Sequence, residues 1–167
     1  NSDKLVINKH GGVATGSATW ATADTNANNN DIKVMRLSEM YLIKAEARAA
    51  AGDLAGAATN VQAIRLARNT VAPAIPVYAT PSAAWAGILA ERRIEFAFEG
   101  YRFLDIKRLG NLAGQGIDRS PADYAQGSFN YPGADPVNMP LSSYKWALPI
   151  PQDEINVNPT ITQNPGY

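Results

Sequence analysis

Apolar residues recur at helical spacing in the middle of the chain, whereas polar stretches rich in Gly, Asn and Pro occupy both ends. The first periodic stretch predicts a helix from about Lys33 to Ala51, followed by Gly52, a residue type that commonly ends helices. The apolar stripe of this helix is predicted to comprise Leu37, Met40, Tyr41, Ala47 and Ala51. The first element is therefore expected to be a helix with one buried face.

A second helix is predicted from about Leu54 to Arg68, directly after a turn at Gly52-Asp53. Its inner face is expected to consist of Leu54, Ala57, Ala58, Val61 and Ile64. The two helices fit one tetratricopeptide-like unit, with Tyr41 in the bulky aromatic position and Ala45 in the small one. Because such units bury their faces against stacked neighbours, we expect this hairpin to leave an apolar helix face in need of a cover.

A third helix is predicted after a Pro-containing linker, from roughly Ala83 to Glu99, with Ser82 as its N-cap. Its apolar stripe is led by Trp85, Ile88 and Leu89. Gly100 is expected to break or kink this helix. A shorter helix from about Arg102 to Leu109 is then expected to end before Gly110.

The rest of the chain lacks a helical period. We expect a short strand at Leu5-Val6-Ile7 and another at Lys145 to Ile150. A long irregular segment precedes the second of these, and segments of this length often carry function. Four prolines in the last twenty residues favour an extended tail, because each proline restricts both itself and its predecessor.

These elements predict a mainly α fold in one domain of 167 residues. Its expected parts are a loop at 1–31, a tetratricopeptide-like helical hairpin at 32–68, a second helix pair at 82–110, and an irregular segment with an extended Pro-rich tail at 111–167.

Three acids, Glu91, Glu95 and Glu99, follow one another at four-residue spacing, which places them on one face of a helix. Such a row can hold a metal ion or supply a pair of catalytic carboxylates. Arg92 and Arg102 lie beside the row and can bridge it, and a cluster of arginines opposes cation binding. We therefore interpret these five residues as a structural ion network and predict no metal site.

The balance of 15 basic and 15 acidic residues argues against a nucleic-acid or anionic-membrane surface, which needs clustered Lys and Arg. The absence of cysteine excludes disulfides and thiolate chemistry. No apolar run reaches the roughly 18 residues of a membrane-spanning helix. The chain begins with Asn1 rather than Met, so we expect its natural N-terminus, and any lipid-anchoring cysteine, to lie upstream.

Catalytic motifs are not evident. His10 is the only histidine and lies in a polar stretch, and no G-x-S-x-G sequence is present to supply a serine nucleophile. The Gly11-Gly12 pair is not followed by the Lys-Ser/Thr of a phosphate loop. The oxygen-rich stretch from Asp24 to Asn30 leaves calcium open as a ligand, although such residues usually make turns. We predict no catalytic residue and no cofactor.

Three stretches, in this order, resemble the SusD/RagB-type family of nutrient-binding outer-membrane lipoproteins of Bacteroidota. They are RLSEMYLIKAEARAAAG (Arg36 to Gly52), ERRIEFAFEGYRFLDIKRLG (Glu91 to Gly110) and LPIPQDEINVNPTITQNPGY (Leu148 to Tyr167). Family members are several times longer, so the chain resembles their C-terminal portion.

The resemblance implies capture of a nutrient, most often an oligosaccharide, at the cell surface. It also implies a partner, a TonB-dependent outer-membrane transporter of the SusC type, to which the ligand is handed without covalent chemistry. The family's glycan-binding aromatics come largely from sequence upstream of this segment, so no family site residue is carried over to this chain.

Sugars stack on exposed aromatic side chains, and loops expose such residues more often than helices do. We therefore predict ligand contacts at Trp20, in the Asn-rich loop, and at Tyr131, in the long irregular segment. Trp85 and Trp146 are expected to pack in or against the core.

Two other functions stay open at this point. A tetratricopeptide-like scaffold would bind a protein or peptide on its helix faces, and its loop aromatics would be incidental. A hydrolase would need two of Glu91, Glu95 and Glu99 exposed in a cleft rather than paired with arginines.

Overall fold

The computed structural model describes residues 34–119 and 138–167. The contacts divide the chain into two compact units, residues 1–40 and residues 41–167. In the described part of the first unit, the Arg36 guanidinium donates a hydrogen bond to Ser38 Oγ at 2.9 Å. The second unit contains the other described residues, 41–119 and 138–167.

Helices make up the regular structure of the described residues. They are α1 (Leu37–Ala50), α2 (Leu54–Arg68), α3 (Pro81–Glu95), α4 (Arg102–Ala113) and α5 (Gln152–Val157), with a 3-10 turn at Tyr144–Trp146. Within the same ranges, the β pairing consists of one antiparallel bridge between Ile117 and Met139. The predicted mainly α, tetratricopeptide-like fold class is confirmed.

The turn between α1 and α2 follows from a glycine and an aspartate. Gly52 has a φ of 80°, a conformation that glycine adopts without a steric penalty. The Gly52 and Asp53 N–H groups donate to the carbonyls of Ala49 and Arg48, which closes a Schellman motif at the end of α1. The Asp53 carboxylate then accepts a hydrogen bond from Gly56 N at 2.7 Å and caps α2. Gly52 therefore ends the first helix as predicted.

One hydrophobic core joins the four longer helices. Its buried residues are Leu42, Ala45, Ala49, Ala57, Val61, Ile64, Ala84, Trp85, Ile88, Leu89, Phe96, Ile106, Leu109 and Ala113. The inner faces predicted for α2 and α3 are confirmed, except that Leu54 is only partly buried.

The stripe predicted for α1 is wrong, because all five of its residues are exposed. The buried face instead carries Leu42, Ala45 and Ala49. Apolar residues and alanines occur on nearly every side of α1, so the helical period alone does not single out one face.

The N-cap of α3 is Thr80, not Ser82. The Thr80 hydroxyl accepts a hydrogen bond from Ala83 N at 3.1 Å, and Pro81 occupies the first helical position, where its missing N–H is not needed. The helix ends at Glu95, four residues earlier than predicted. A turn with positive φ at Phe98 (63°) and Gly100 (81°) follows.

Helix α4 continues to Ala113, beyond the predicted end at Leu109. Gly114, with a φ of 65°, ends it, and Gln115 N donates to Gly110 O at 2.9 Å. Gly110 therefore lies inside the helix. A Cβ there would lie 2.7 Å from Leu141 Cδ2, so this glycine permits the close approach of the C-terminal segment.

The predicted strand at Lys145 to Ile150 is wrong, because the 3-10 turn and an irregular stretch occupy these residues. The Trp146 ring stacks on Phe103 with 5.3 Å between centroids, and Trp146 Nε1 donates to Pro140 O at 2.9 Å. The packing predicted for Trp85 and Trp146 is thereby confirmed. The tail beyond it is not extended throughout, since it contains α5.

Candidate functional site

Buried charges occupy the side of α3 that faces α2. Arg65 Nε donates to Glu91 Oε2 at 2.8 Å, and Arg68 donates to both carboxylate oxygens of Glu95, at 2.7 and 3.0 Å. Both glutamates are buried, whereas Arg68 is about half exposed. Glu95 raises the pKa of Arg68, first through these hydrogen bonds and then through its charge. The two pairs join α2 to α3.

Arg92 is the centre of a second group of charges, which joins α1, α3 and α4. Its Nη1 lies 3.2 Å from Glu46 Oε1, and its Nε lies 2.8 Å from Asp105 Oδ1, too far out of line for a hydrogen bond. Arg108 pairs bidentately with Glu46 and contacts Asp105 Oδ1 at 3.2 Å. The hydrogen bond to Glu46 is the main reason that the pKa of Arg108 is raised.

Two aromatic rings cover the Arg92 guanidinium. The ring centroids of Phe96 and Tyr101 lie 4.9 and 6.0 Å from its central carbon, and the two rings lie 4.7 Å apart. A cation against ring faces is favourable and keeps water away. We call these two groups together the ion-pair cluster, comprising Glu46, Arg65, Arg68, Glu91, Arg92, Glu95, Asp105 and Arg108.

The ion-pair cluster is suited to holding helices together rather than to reacting. One oxygen of Glu91 and both oxygens of Glu95 accept hydrogen bonds from guanidinium groups, and these positive charges disfavour a cation at the same carboxylates. Among residues 34–119 and 138–167, no group of three His, Cys, Asp or Glu side chains could hold a metal ion.

The structure distributes the predicted network residues over three places. Glu91, Arg92 and Glu95 are buried in the ion-pair cluster. Glu99 lies in the turn after α3 and so no longer shares its helical face. Arg102 lies at the start of α4, where its Nη1 donates to Leu89 O at 3.4 Å.

Sequence reasoning missed the cluster residues contributed by α1, α2 and α4, which are Glu46, Arg65, Arg68, Asp105 and Arg108. One signal was available for two of them. Arg65 and Arg68 stand three apart on α2, close to the four-residue spacing of Glu91 and Glu95 on α3. This similarity in spacing indicates ion pairs between the helices only once the two helices are known to pack side by side.

A pocket of about 270 Å³ opens where α3 ends and α4 begins. Its lining residues are Arg92, Arg93, Phe96, Ala97, Phe98, Gly100, Arg102 and Phe103. We call it the arginine pocket. Burial lowers the pKa of Arg102, and the charge of Arg93 lowers it further. The wall of the pocket combines positively charged arginines with phenylalanine rings.

The predicted ligand contacts Trp20 and Tyr131 lie outside the described residues, as do His10 and the oxygen-rich stretch from Asp24 to Asn30. Contact of Trp20 or Tyr131 with a ligand stays a prediction. Within the described ranges, no helix is both long and apolar enough to span a bilayer.

A family model described as the SusD family matches residues 3–167, which extends well beyond the three resembling stretches. No curated protein and no solved structure gives a significant match to the chain.

Proposed function

The chain belongs to the SusD family, and on this basis we propose that it captures a nutrient glycan without covalent chemistry. The capture would take place at the outer-membrane surface, with a SusC-type TonB-dependent transporter as the partner that receives the ligand.

The family match over residues 3–167 is the observation that carries this proposal. Members of the family are generally binding proteins that work with SusC-type transporters. The ion-pair cluster adds support, because the engagement of Glu91 and Glu95 by arginines argues against a hydrolase that uses these two glutamates.

We further propose that Trp20 and Tyr131 contact the glycan. Aromatic rings offer a flat apolar face on which the C–H side of a sugar ring can stack. Both residues lie in segments with the loop-like composition that often carries binding residues.

Calorimetric titration of the chain against a panel of soluble oligosaccharides tests the proposal. We expect one class of glycan to bind, and we expect Trp20→Ala and Tyr131→Ala to weaken that binding roughly tenfold, the loss of one well-formed stacking contact. Tyr41→Ala is the matched control, because Tyr41 is an aromatic residue exposed on α1.

The scaffold alternative predicts the reverse result. Tyr41 is 39% exposed on α1, and exposed helix faces are surfaces on which tetratricopeptide-like proteins bind peptides. If no glycan binds and Tyr41→Ala weakens capture of a purified peptide ligand, the scaffold function replaces glycan capture.

A further inference from the structure

We propose that the arginine pocket binds the carboxylate of a small organic anion that has an apolar face. The pocket places guanidinium groups and phenyl rings on a single wall, at the junction of α3 and α4. The proposal is independent of glycan capture, because it depends on this wall and not on Trp20 or Tyr131.

Two of the three guanidinium groups are available for a ligand. Arg92 is held by Glu46 and Asp105, whereas Arg93 and Arg102 form no ion pair with any residue of 34–119 or 138–167. Arg102 donates one long hydrogen bond, to the carbonyl of Leu89 at 3.4 Å, which leaves most of its donors unused.

The charges around Arg102 leave the pocket positive. Asp105 and Asp118 both favour its charged form, yet neither forms an ion pair with it, and Asp105 is already shared by Arg92 and Arg108. Arg93 adds a like charge close enough to disfavour the Arg102 cation. An anion between Arg93 and Arg102 would relieve that repulsion, and a guanidinium fork matches a carboxylate in geometry.

The backbone at Phe98 is a separate indication of a ligand. Phe98 has a φ of 63°, which bulky residues rarely adopt, and its side chain is nevertheless 68% exposed. Strain of this kind concentrates at ligand sites, where the surrounding structure maintains it. The backbone conformation of Phe98 places its aromatic ring on the wall of the pocket.

The volume and the lining residues of the pocket limit which ligands it can bind. A volume of about 270 Å³ lies just below the range of roughly 300–1,000 Å³ that is typical of pockets for drug-sized ligands, so a single ring fits. The rings of Phe96, Phe98 and Phe103 favour a ligand whose remaining surface is apolar over a fully hydrated oxyanion such as phosphate. A uronic acid unit of a glycan and the carboxylate of a hydrophobic amino acid share this chemistry.

Calorimetric titration of the chain with glucuronate and with N-acetylphenylalanine tests the proposal and separates the two sources. Glucose and N-acetylphenylalanine amide are the neutral controls, and inorganic phosphate is the anion without an apolar face. We expect at least one acid to bind and its neutral counterpart to bind at least tenfold more weakly. Whichever acid binds identifies the source.

Variants assign the binding to the arginine pocket. Arg93→Gln and Arg102→Gln are each expected to weaken the acid roughly 10- to 100-fold, since each removes charged hydrogen bonds. Lys107→Gln is the matched control, because it removes one positive charge from an exposed position of α4 outside the pocket. Should Arg102→Gln fail to fold, Arg93→Gln decides, because Arg93 is exposed and forms no ion pair with the described residues.

Three results would overturn the proposal: no binding of either acid, equal binding of acids and neutral controls or phosphate, or equal effects of Arg93→Gln and Lys107→Gln. A neutral oligosaccharide that binds while both acids fail would overturn this inference and leave glycan capture intact. The opposite pattern would leave the arginine pocket intact and count against the capture of neutral glycans.

Discussion

Arg92 shows how a single residue can join three helices. With 3% of its surface exposed, it touches carboxylates from α1 and α4 and two aromatic rings. Removing one partner of a buried ion pair leaves an uncompensated charge, which typically costs about 3–5 kcal/mol.

We expect Arg92→Met to lower the free energy of unfolding by about 3 kcal/mol, the low end of the range for buried ion pairs, because Arg108 still contacts Glu46 and Asp105. Urea denaturation measures the change. Arg48→Met is the control, since the Arg48–Asp53 pair is exposed and is expected to contribute little. Equal effects of the two substitutions would contradict a stabilising role for the ion-pair cluster.

The hydroxyl of Tyr78 differs from the guanidinium of Arg92, which is paired with carboxylates. The Tyr78 hydroxyl is buried without a hydrogen-bond partner among residues 34–119 and 138–167, and burial is the main reason that its pKa is raised above the usual value of 10.0. A buried polar group without a partner typically costs about 1–3 kcal/mol. We therefore expect Tyr78→Phe to leave the free energy of unfolding unchanged or raise it by about 1 kcal/mol.

The raised pKa of Tyr78 also predicts a pH dependence. The folded state holds the phenol proton more tightly than the unfolded chain does, so this contribution to stability is present below about pH 10 and is lost as the pH rises through the folded-state pKa. Thermal unfolding between pH 8 and 11 measures it. If Tyr78→Phe loses as much stability as the parent over this interval, Tyr78 is not the responsible group.

At the scale of elements, the start of α3 depends on one hydroxyl. Because Thr80 caps the helix and Ser82 does not, Thr80→Ala should lower the free energy of unfolding by about 0.5–2 kcal/mol. Ser82→Ala is the control and should change it by less than about 0.5 kcal/mol, as is usual for exposed positions. A larger loss from Ser82→Ala would restore Ser82 as the cap.

At the scale of the second unit, residues 138–167 are attached to the helices at a few points. Trp146 stacks on Phe103 of α4, Leu141 lies against Gly110, and Met139 forms the β bridge with Ile117. These contacts link the C-terminal segment to α4 and to the residues that follow it. Helix α4 also contributes Phe103 to the arginine pocket.

We expect Trp146→Ala to release this segment, because it removes the stack on Phe103 of α4 and, within the segment, the hydrogen bond that holds Trp146 to Pro140 O. Limited proteolysis should then cleave within 138–167 faster than in the parent chain, while α2 and α3 stay protected. Tyr41→Ala serves as the aromatic control on an exposed helix face. Unchanged cleavage would mean that Met139 and Leu141 suffice to hold the segment.

The candidate sites were only partly accessible from sequence. Spacing marked Glu91, Glu95 and Arg92 as an ion network, but their partners Arg65, Arg68 and Glu46 lie 26 to 46 residues away in the chain. The arginine pocket depends on the turn after α3, which the prediction placed inside a longer helix. Ligand contact at Trp20 and Tyr131 stays a prediction.

The sequence by itself determined the presence of the four longer helices, both bounds of α2 and the family to which the chain belongs. These features follow from local signals, such as helical period and the glycine at Gly52, which act between residues close in the chain. Only the tertiary structure decided which face of α1 is buried, why Gly110 lies inside α4 and which arginines neutralise Glu91 and Glu95. Each of these depends on contact between residues far apart in sequence, and hydrophobic period carries no information about the partner that an element will meet.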